Sequence, residues 1–84
     1  MLNIKVLGPG CANCKRLEQM TRREVEKLGV VAEIEKVTDY GQIMSYGVIS
    51  TPGLVINGQL VAYGRIPTNQ EVTNWLMAVI LGRG

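Results

Sequence analysis

The stretch Leu7-Gly8-Pro9-Gly10-Cys11-Ala12-Asn13-Cys14-Lys15, residues 7–15, separates two hydrophobic patterns. Before it, apolar residues alternate with Asn3 and Lys5, which is typical of a short strand buried on at least one face. From about Ala12 the apolar residues recur at steps of three and four, which predicts an amphipathic helix that Gly29 ends. The glycine-rich stretch therefore leads from a strand into a helix, and both cysteines lie at the junction.

The following segment predicts a second strand and a short second helix. In residues 30–35, Val30, Ala32 and Ile34 lie on one face of an extended chain, and the other face holds Val31, Glu33 and Glu35. This pattern indicates a strand with one solvated face. Thr38 or Asp39 is placed to cap a helix that runs to Tyr46 and ends at Gly47.

The C-terminal part predicts a hairpin and a third helix. Asn57-Gly58 joins the apolar segments 54–56 and 60–63, and this dipeptide suits a type I′ turn because both of its residues tolerate positive φ. Thr68 or Asn69 opens a last helix with one apolar stripe.

The predicted order is β-α-β-α-β-β-α in one domain, residues 1–84. A strand–helix–strand start implies a right-handed parallel crossover, and the hairpin adds two antiparallel strands. We therefore expect an α/β fold with a mixed sheet of four strands and helices on both faces.

Composition narrows the functional classes. A net charge of +2 is too small to favour nucleic-acid binding. The sequence contains no histidine, which excludes Cys–His and Ser–His–Asp catalysis. The apolar runs are shorter than the roughly 18–20 residues that span a bilayer, and the N-terminus lacks the pattern of a signal peptide. We expect a cytoplasmic, monomeric protein without membrane or nucleic-acid partners.

The cysteine pair carries the expected chemistry. At a helix start Cys11 has non-helical backbone angles, so it can approach Cys14, with Gly8 and Gly10 supplying backbone freedom. Unpaired N–H groups and the helix dipole favour a thiolate at Cys11, and Lys15 adds positive charge. Cys11 is therefore the predicted attacking thiol, and Cys14, on the apolar face, resolves the mixed disulfide.

A metal site is the alternative use of the same two thiols. Zinc prefers four ligands, and this chain offers only two cysteines and no histidine. The metal alternatives are therefore a soft-metal carrier, with Cu(I) held by both thiolates, and a zinc ion shared across a dimer.

The chain as a whole resembles thioredoxins and glutaredoxins. The resemblance rests on the strand–Gly-Pro-Gly-Cys-Ala-Asn-Cys-Lys–helix segment, on Ser-Thr-Pro before a strand at residues 50–52, and on the later Asn-Gly and Tyr-Gly pairs. The sequence is most similar to the very small bacterial and archaeal thioredoxin-like proteins described as redox-active disulfide proteins. The resemblance implies that the protein is a protein disulfide oxidoreductase and needs no cofactor beyond its own cysteine pair.

The resemblance also implies roles for other residues and partners. Pro52 would be cis and would pack near the disulfide, Thr51 would bind the main chain of an extended substrate, and Gly64 would keep the other side of the groove open. The expected partners are protein or low-molecular-weight disulfides and a flavoprotein thioredoxin reductase.

The sequence departs from thioredoxins at three places. Gly10 precedes the first cysteine, where thioredoxins carry an aromatic residue, and Ala12-Asn13 stands between the cysteines in place of Gly-Pro. Lys5 occupies the position nearest to the buried acid of thioredoxins, and a lysine cannot serve as that proton acceptor.

Overall fold

The structure is a computed structural model that describes residues 1–82, so residues 83–84 of the predicted domain lie outside the described residues. The elements in chain order are β1 (Leu2–Leu7), α1 (Ala12–Leu28), β2 (Ala32–Val37), α2 (Tyr40–Ser45), β3 (Gly53–Ile56), β4 (Gln59–Tyr63) and α3 (Asn69–Ile80). Over residues 1–82 no helix combines the length and the apolar character needed to cross a membrane.

The strands form one mixed sheet in the order β2-β1-β3-β4. The β1–β2 pair is parallel, as the crossover predicted, and the β1–β3 and β3–β4 pairs are antiparallel. The predicted α/β fold with a four-stranded mixed sheet is thus confirmed.

Two hydrophobic clusters cover the two faces of the sheet. The larger cluster joins one face of β1 and β3 to α1 and α3, and its buried members are Leu2, Ile4, Val6, Leu17, Val25, Leu54, Ile56, Val72 and Leu76. The smaller cluster joins the opposite face to α2, and its buried members are Leu7, Val37, Ile43, Val48 and Val55. Alternate residues of one strand therefore serve different clusters, because successive side chains of a strand point to opposite faces.

The second strand begins later than the sequence pattern suggested. Its first residue is Ala32, whereas the alternation started at Val30. The N–H of Val30 still bonds the carbonyl of Val25, and Gly29 is left-handed with φ 67°, so both residues complete the end of α1.

The hairpin between β3 and β4 contains the predicted turn and one irregularity. Asn57 and Gly58 have φ values of 50° and 81°, as a type I′ turn requires. The pairing shifts from Leu54–Ala62 to Val55–Leu60, which leaves an extra residue in β4 and forms a β-bulge.

Helix α1 packs directly on the end of β1 at Gly8, which has no side chain. A Cβ at Gly8 would overlap the sulfur of Cys14 and would lie 3.2 Å from the Cβ of Cys14. Gly8 is also buried. The glycine therefore sets how closely the cysteine-bearing end of α1 approaches the sheet.

The N-terminus of α3 is held by a compact polar cluster. Thr68 and Glu71 form a capping box, and Arg65 donates two hydrogen bonds to the Glu71 carboxylate at 2.8 and 2.7 Å. These bonds, with Arg65 the largest cause, lower the pKa of Glu71 to about 2.

We expect Gly8→Ala to destabilise the folded protein by about 1–3 kcal/mol, the usual cost of overpacking a rigid site. The new methyl group must displace the Cys14 sulfur or the first turn of α1. Urea unfolding of the oxidised and the reduced protein measures the effect, and an unchanged midpoint in both forms would contradict it.

We also expect the Arg65–Glu71 contact to add stability that depends on pH. Because the pKa of Glu71 is lower in the folded state, this stability is present above the ordinary value of 4.5 and is lost as the pH falls towards about 2. Urea midpoints across this range should lie higher for the unmodified protein than for Glu71→Gln at neutral pH and should converge in acid. Parallel curves for the two proteins would show that the contact adds no pH-dependent stability.

Candidate active site

The two cysteines form a disulfide at the start of α1. Cys11 is the N-cap residue, with φ −67° and ψ 167°, and its Cα lies 5.0 Å from that of Cys14. This Cα separation is that of one helical turn. The non-helical backbone of the cap position is the predicted arrangement, and it leaves the Cys11 side chain turned back over the first turn towards Cys14.

The surroundings of Cys11 favour negative charge on its sulfur. The backbone N–H of Cys14 points at the Cys11 sulfur at 3.2 Å. The first turn, residues 12–15, contains no acidic side chain; it includes the exposed Lys15, and the exposed Arg16 follows it. In the reduced protein a Cys11 thiolate would receive this N–H bond and the positive end of the helix dipole.

Cys14 lies in a different environment. It is 5% exposed, whereas Cys11 is exposed to solvent. It shares the inner face of α1 with Leu17 and Thr21, which are 1% and 0% exposed. The difference in exposure agrees with the predicted division of roles, since only Cys11 is open to a large substrate.

The Thr51–Pro52 segment lies next to this pair. The peptide bond between Thr51 and Pro52 is cis, as the resemblance implied, and the proline is buried. A Cβ at Gly8 would lie 3.7 Å from the Cβ of Thr51, so the glycine touches both Cys14 and the proline loop. The direct contact of Pro52 with the disulfide stays a prediction.

Gly64 is joined to the same loop. Its N–H donates to the carbonyl of Pro52 at 2.9 Å, and its φ of 78° is a conformation that suits glycine. A Cβ at Gly64 would lie 3.3 Å from that of Ser50. The fold therefore brings the predicted substrate-binding residues together through backbone contacts.

The two glycines before the cysteines have different functions. Gly10 has φ 98°, so it supplies the backbone freedom that we predicted. Gly8 is not among the residues with positive φ, and the prediction that it supplies backbone freedom is wrong. Gly8 is needed instead for space, because the sulfur of Cys14 occupies the place of its side chain.

Lys5 lies on the α2 side of the sheet, where it contacts Tyr46. Its ammonium group donates to the Tyr46 hydroxyl at 3.2 Å, and this bond is the main reason that the pKa of Lys5 is raised. The lysine helps to line a polar cleft with Glu35 and Tyr46.

Sequence reasoning missed two charged residues near Cys14. Glu18 and Lys36 line a small cleft with Cys14, and their charged groups lie 3.8 Å apart. Glu18 could have been found from its spacing, since it follows Cys14 by one helical turn. Lys36 could not, because it comes from β2 and its position depends on how the sheet packs on α1.

The cysteine pair has no further metal ligands grouped with it in the described part of the chain. Within residues 1–82 no group of three or more His, Cys, Asp or Glu side chains is arranged to hold a metal ion. The Cu(I) alternative would therefore need the two cysteine thiolates alone.

The chain is similar to known proteins over most of its length. A family model described as a thioredoxin domain matches residues 2–77. A thioredoxin of Methanothermobacter thermautotrophicus is 40% identical over 72 residues, which cover 86% of this chain and 94% of the relative. A thioredoxin of Methanocaldococcus jannaschii is 35% identical over 83 residues, which cover 99% of this chain and 95% of the relative. With its cysteine pair at the start of α1, the chain belongs to the thioredoxin family and is a thiol–disulfide oxidoreductase.

Proposed function

We propose that Cys11 is the attacking thiol, that Cys14 resolves the mixed disulfide, and that protein disulfides are the main substrates. The observation that carries this proposal is the asymmetry of the pair: Cys11 is exposed at a helix N-cap, and Cys14 is 5% exposed behind it. A large substrate can reach only the first sulfur, and a resolving thiol must be protected from competing partners.

The reaction proceeds in two balanced steps. The Cys11 thiolate attacks one sulfur of a substrate disulfide, forms a mixed disulfide and releases the first substrate thiolate. Cys14, after losing its proton, then attacks the Cys11 sulfur, which forms the Cys11–Cys14 bond and releases the second substrate thiolate. Two electrons pass from the cysteine pair to the substrate, so the substrate is reduced and the pair is oxidised.

The substrate backbone is proposed to lie along Thr51, Pro52 and Gly64. Thr51 is half-buried and adjoins Gly8, while the N–H of Gly64 fixes the Pro52 carbonyl. The main-chain groups of Thr51 would pair with an extended chain, as in strand addition. Gly10 and Lys15, at the rim, support the position and the charge of Cys11.

The oxidised pair must be reduced again, and we propose a flavoprotein thioredoxin reductase as the electron donor. Low-molecular-weight disulfides are secondary substrates. The cysteine pair itself carries both electrons, so the proposed reaction uses no bound cofactor. We further propose that the chain is one domain over residues 1–84, acts as a monomer, and works in the cytoplasm, where thiols are kept reduced.

In the reduced protein, we expect the pKa of Cys11 to lie below the ordinary value of about 8.5 and below the pKa of Cys14. The N–H of Cys14 at 3.2 Å stabilises a thiolate on Cys11, whereas burial disfavours one on Cys14. Alkylation rates measured against pH, with each cysteine followed by peptide mass spectrometry, test this. A faster reaction at Cys14 would reverse the assigned roles.

We expect Cys14→Ser to accumulate a covalent complex with its substrate, because the first step is intact and the second is blocked. Cys11→Ser should trap much less, since its remaining thiol is buried. Trapping in cell lysate, followed by gels with and without dithiothreitol, gives the readout.

The same variants test the metal alternative. A Cu(I) carrier with two thiolate ligands loses binding equally when either cysteine is replaced, and it does not trap substrates. Tight Cu(I) binding by the unmodified protein, together with no trapped complex for Cys14→Ser, would refute the proposed roles.

A further inference from the structure

The buried resolving cysteine has a small cleft beside it. The cleft has a volume of about 80 Å³, and Cys14, Glu18 and Lys36 are among the residues that line it. Gly8 and Gly10 line it as well, and they contribute no side chains that could fill it. A space of this size has room for water, which needs about 10–15 Å³ for each molecule.

Glu18 is the acidic group closest in sequence to Cys14 on the same side of α1. Residues four apart on a helix are neighbours, with Cβ atoms about 5–6 Å apart. The Glu18 side chain is 16% exposed, so it lies mostly along the protein surface and not out in solvent. The helix thus directs a carboxylate towards the space next to Cys14.

One oxygen of this carboxylate is free to accept a proton. Oε2 accepts a hydrogen bond from Arg22 at 3.0 Å. Oε1 lies 3.8 Å from the Lys36 ammonium, which is longer than a hydrogen bond, and within residues 1–82 it accepts no other. Arg22 therefore orients the carboxylate, while Oε1 stays available.

Lys36 occupies a position where the sheet pattern would favour an apolar residue. It pairs in register with Val6, on the face of β2 that also carries Ala32 and Ile34 and that packs against α1. Its side chain is 63% exposed, and its ammonium group lies 3.8 Å from Oε1 of Glu18. The lysine keeps this corner of the α1–sheet interface polar and open.

We propose that Glu18 accepts the proton of Cys14 in the second step of disulfide exchange, through water in the cleft. This inference rests on the proposed roles of the two cysteines. The Cys14 S–H bond breaks and its proton passes to the Glu18 carboxylate. The Cys14 sulfur bonds to the Cys11 sulfur, and the bond from Cys11 to the substrate sulfur breaks to release a thiolate.

A purely electrostatic role for Glu18 would have the opposite effect. A fixed negative charge near a thiol disfavours the thiolate, so its removal would accelerate the attack of Cys14. Lys15, Arg22 and Lys36 are the other charged groups around this cleft, and Glu18→Gln leaves all three in place. The sign of the change in rate therefore separates proton transfer from simple charge repulsion.

The test follows both steps in one reaction of the reduced protein with less than one equivalent of dithiobis(nitrobenzoate). The first coloured thiolate is released when Cys11 attacks, and the second when Cys14 resolves the mixed disulfide. The second phase is intramolecular, so its rate is independent of protein concentration. Rates are measured from about pH 6 to pH 10 for the unmodified protein, Glu18→Gln and Glu18→Asp.

We expect Glu18→Gln to leave the first phase unchanged and to slow the second by about tenfold to thirtyfold near pH 7, because without an acceptor only about 3% of a thiol with an ordinary pKa is ionised. The difference should shrink as the pH rises towards about 10, because a growing fraction of the thiol then ionises unaided. Glu18→Asp should restore part of the rate. An unchanged first phase also shows that the variant is folded.

Glu26→Gln is the matched control, since it removes the same charge from an exposed position on α1. It should change neither phase. A second phase for Glu18→Gln that is equal to or faster than that of the unmodified protein would overturn the role of Glu18, although the cysteine roles would stand. A missing second phase in the unmodified protein would instead refute the cysteine roles.

Discussion

The close packing of Cys14 against the backbone of Gly8 determines the geometry of the whole site. With no side chain at Gly8, the first turn of α1 comes down onto the end of β1, where the sulfur of Cys14 occupies the vacant space. Cys11, as the preceding cap residue, then necessarily lies at the surface. The Thr51–Pro52 loop meets the same glycine from the other side. Because Gly8 has no side chain, the buried Cys14, the exposed Cys11 and the Thr51–Pro52 loop can all lie next to one another.

The rest of α1 keeps this end in place. Its far end contacts α3 through Glu24, which is 5% exposed and accepts a hydrogen bond from Thr73 at 2.6 Å. That bond is the main reason that the pKa of Glu24 is lowered. A buried carboxylate is costly unless it is paired, and Lys27 at 3.3 Å supplies the second partner. The helix is therefore anchored at both ends, by packing near Cys14 and by a polar contact near its C-terminus.

Local signals in the sequence were sufficient for the fold, the pairing of the cysteines and the ends of most helices. Asn57-Gly58, Gly29 and Thr68 each act within a few residues of their own position, so the pattern around them specifies the turn or cap. The space beneath Cys14 and the contact between Glu18 and Lys36 join segments that are distant in sequence. To predict these two features, one must know the register of β2 against β1 and how closely α1 packs on the sheet. Composition and hydrophobic periodicity specify neither.

The two edge strands of the sheet, β2 and β4, are poorly suited to pair with a second copy of the chain. β2 carries the exposed charges of Glu33, Glu35 and Lys36, and β4 is interrupted by its bulge. Charges and bulges on edge strands oppose pairing between copies, which is the first step of sheet-driven aggregation. The protein is proposed to pair with an extended substrate only at the short segment around Thr51. The edge strands β2 and β4, in contrast, are poor templates for another copy of the same chain.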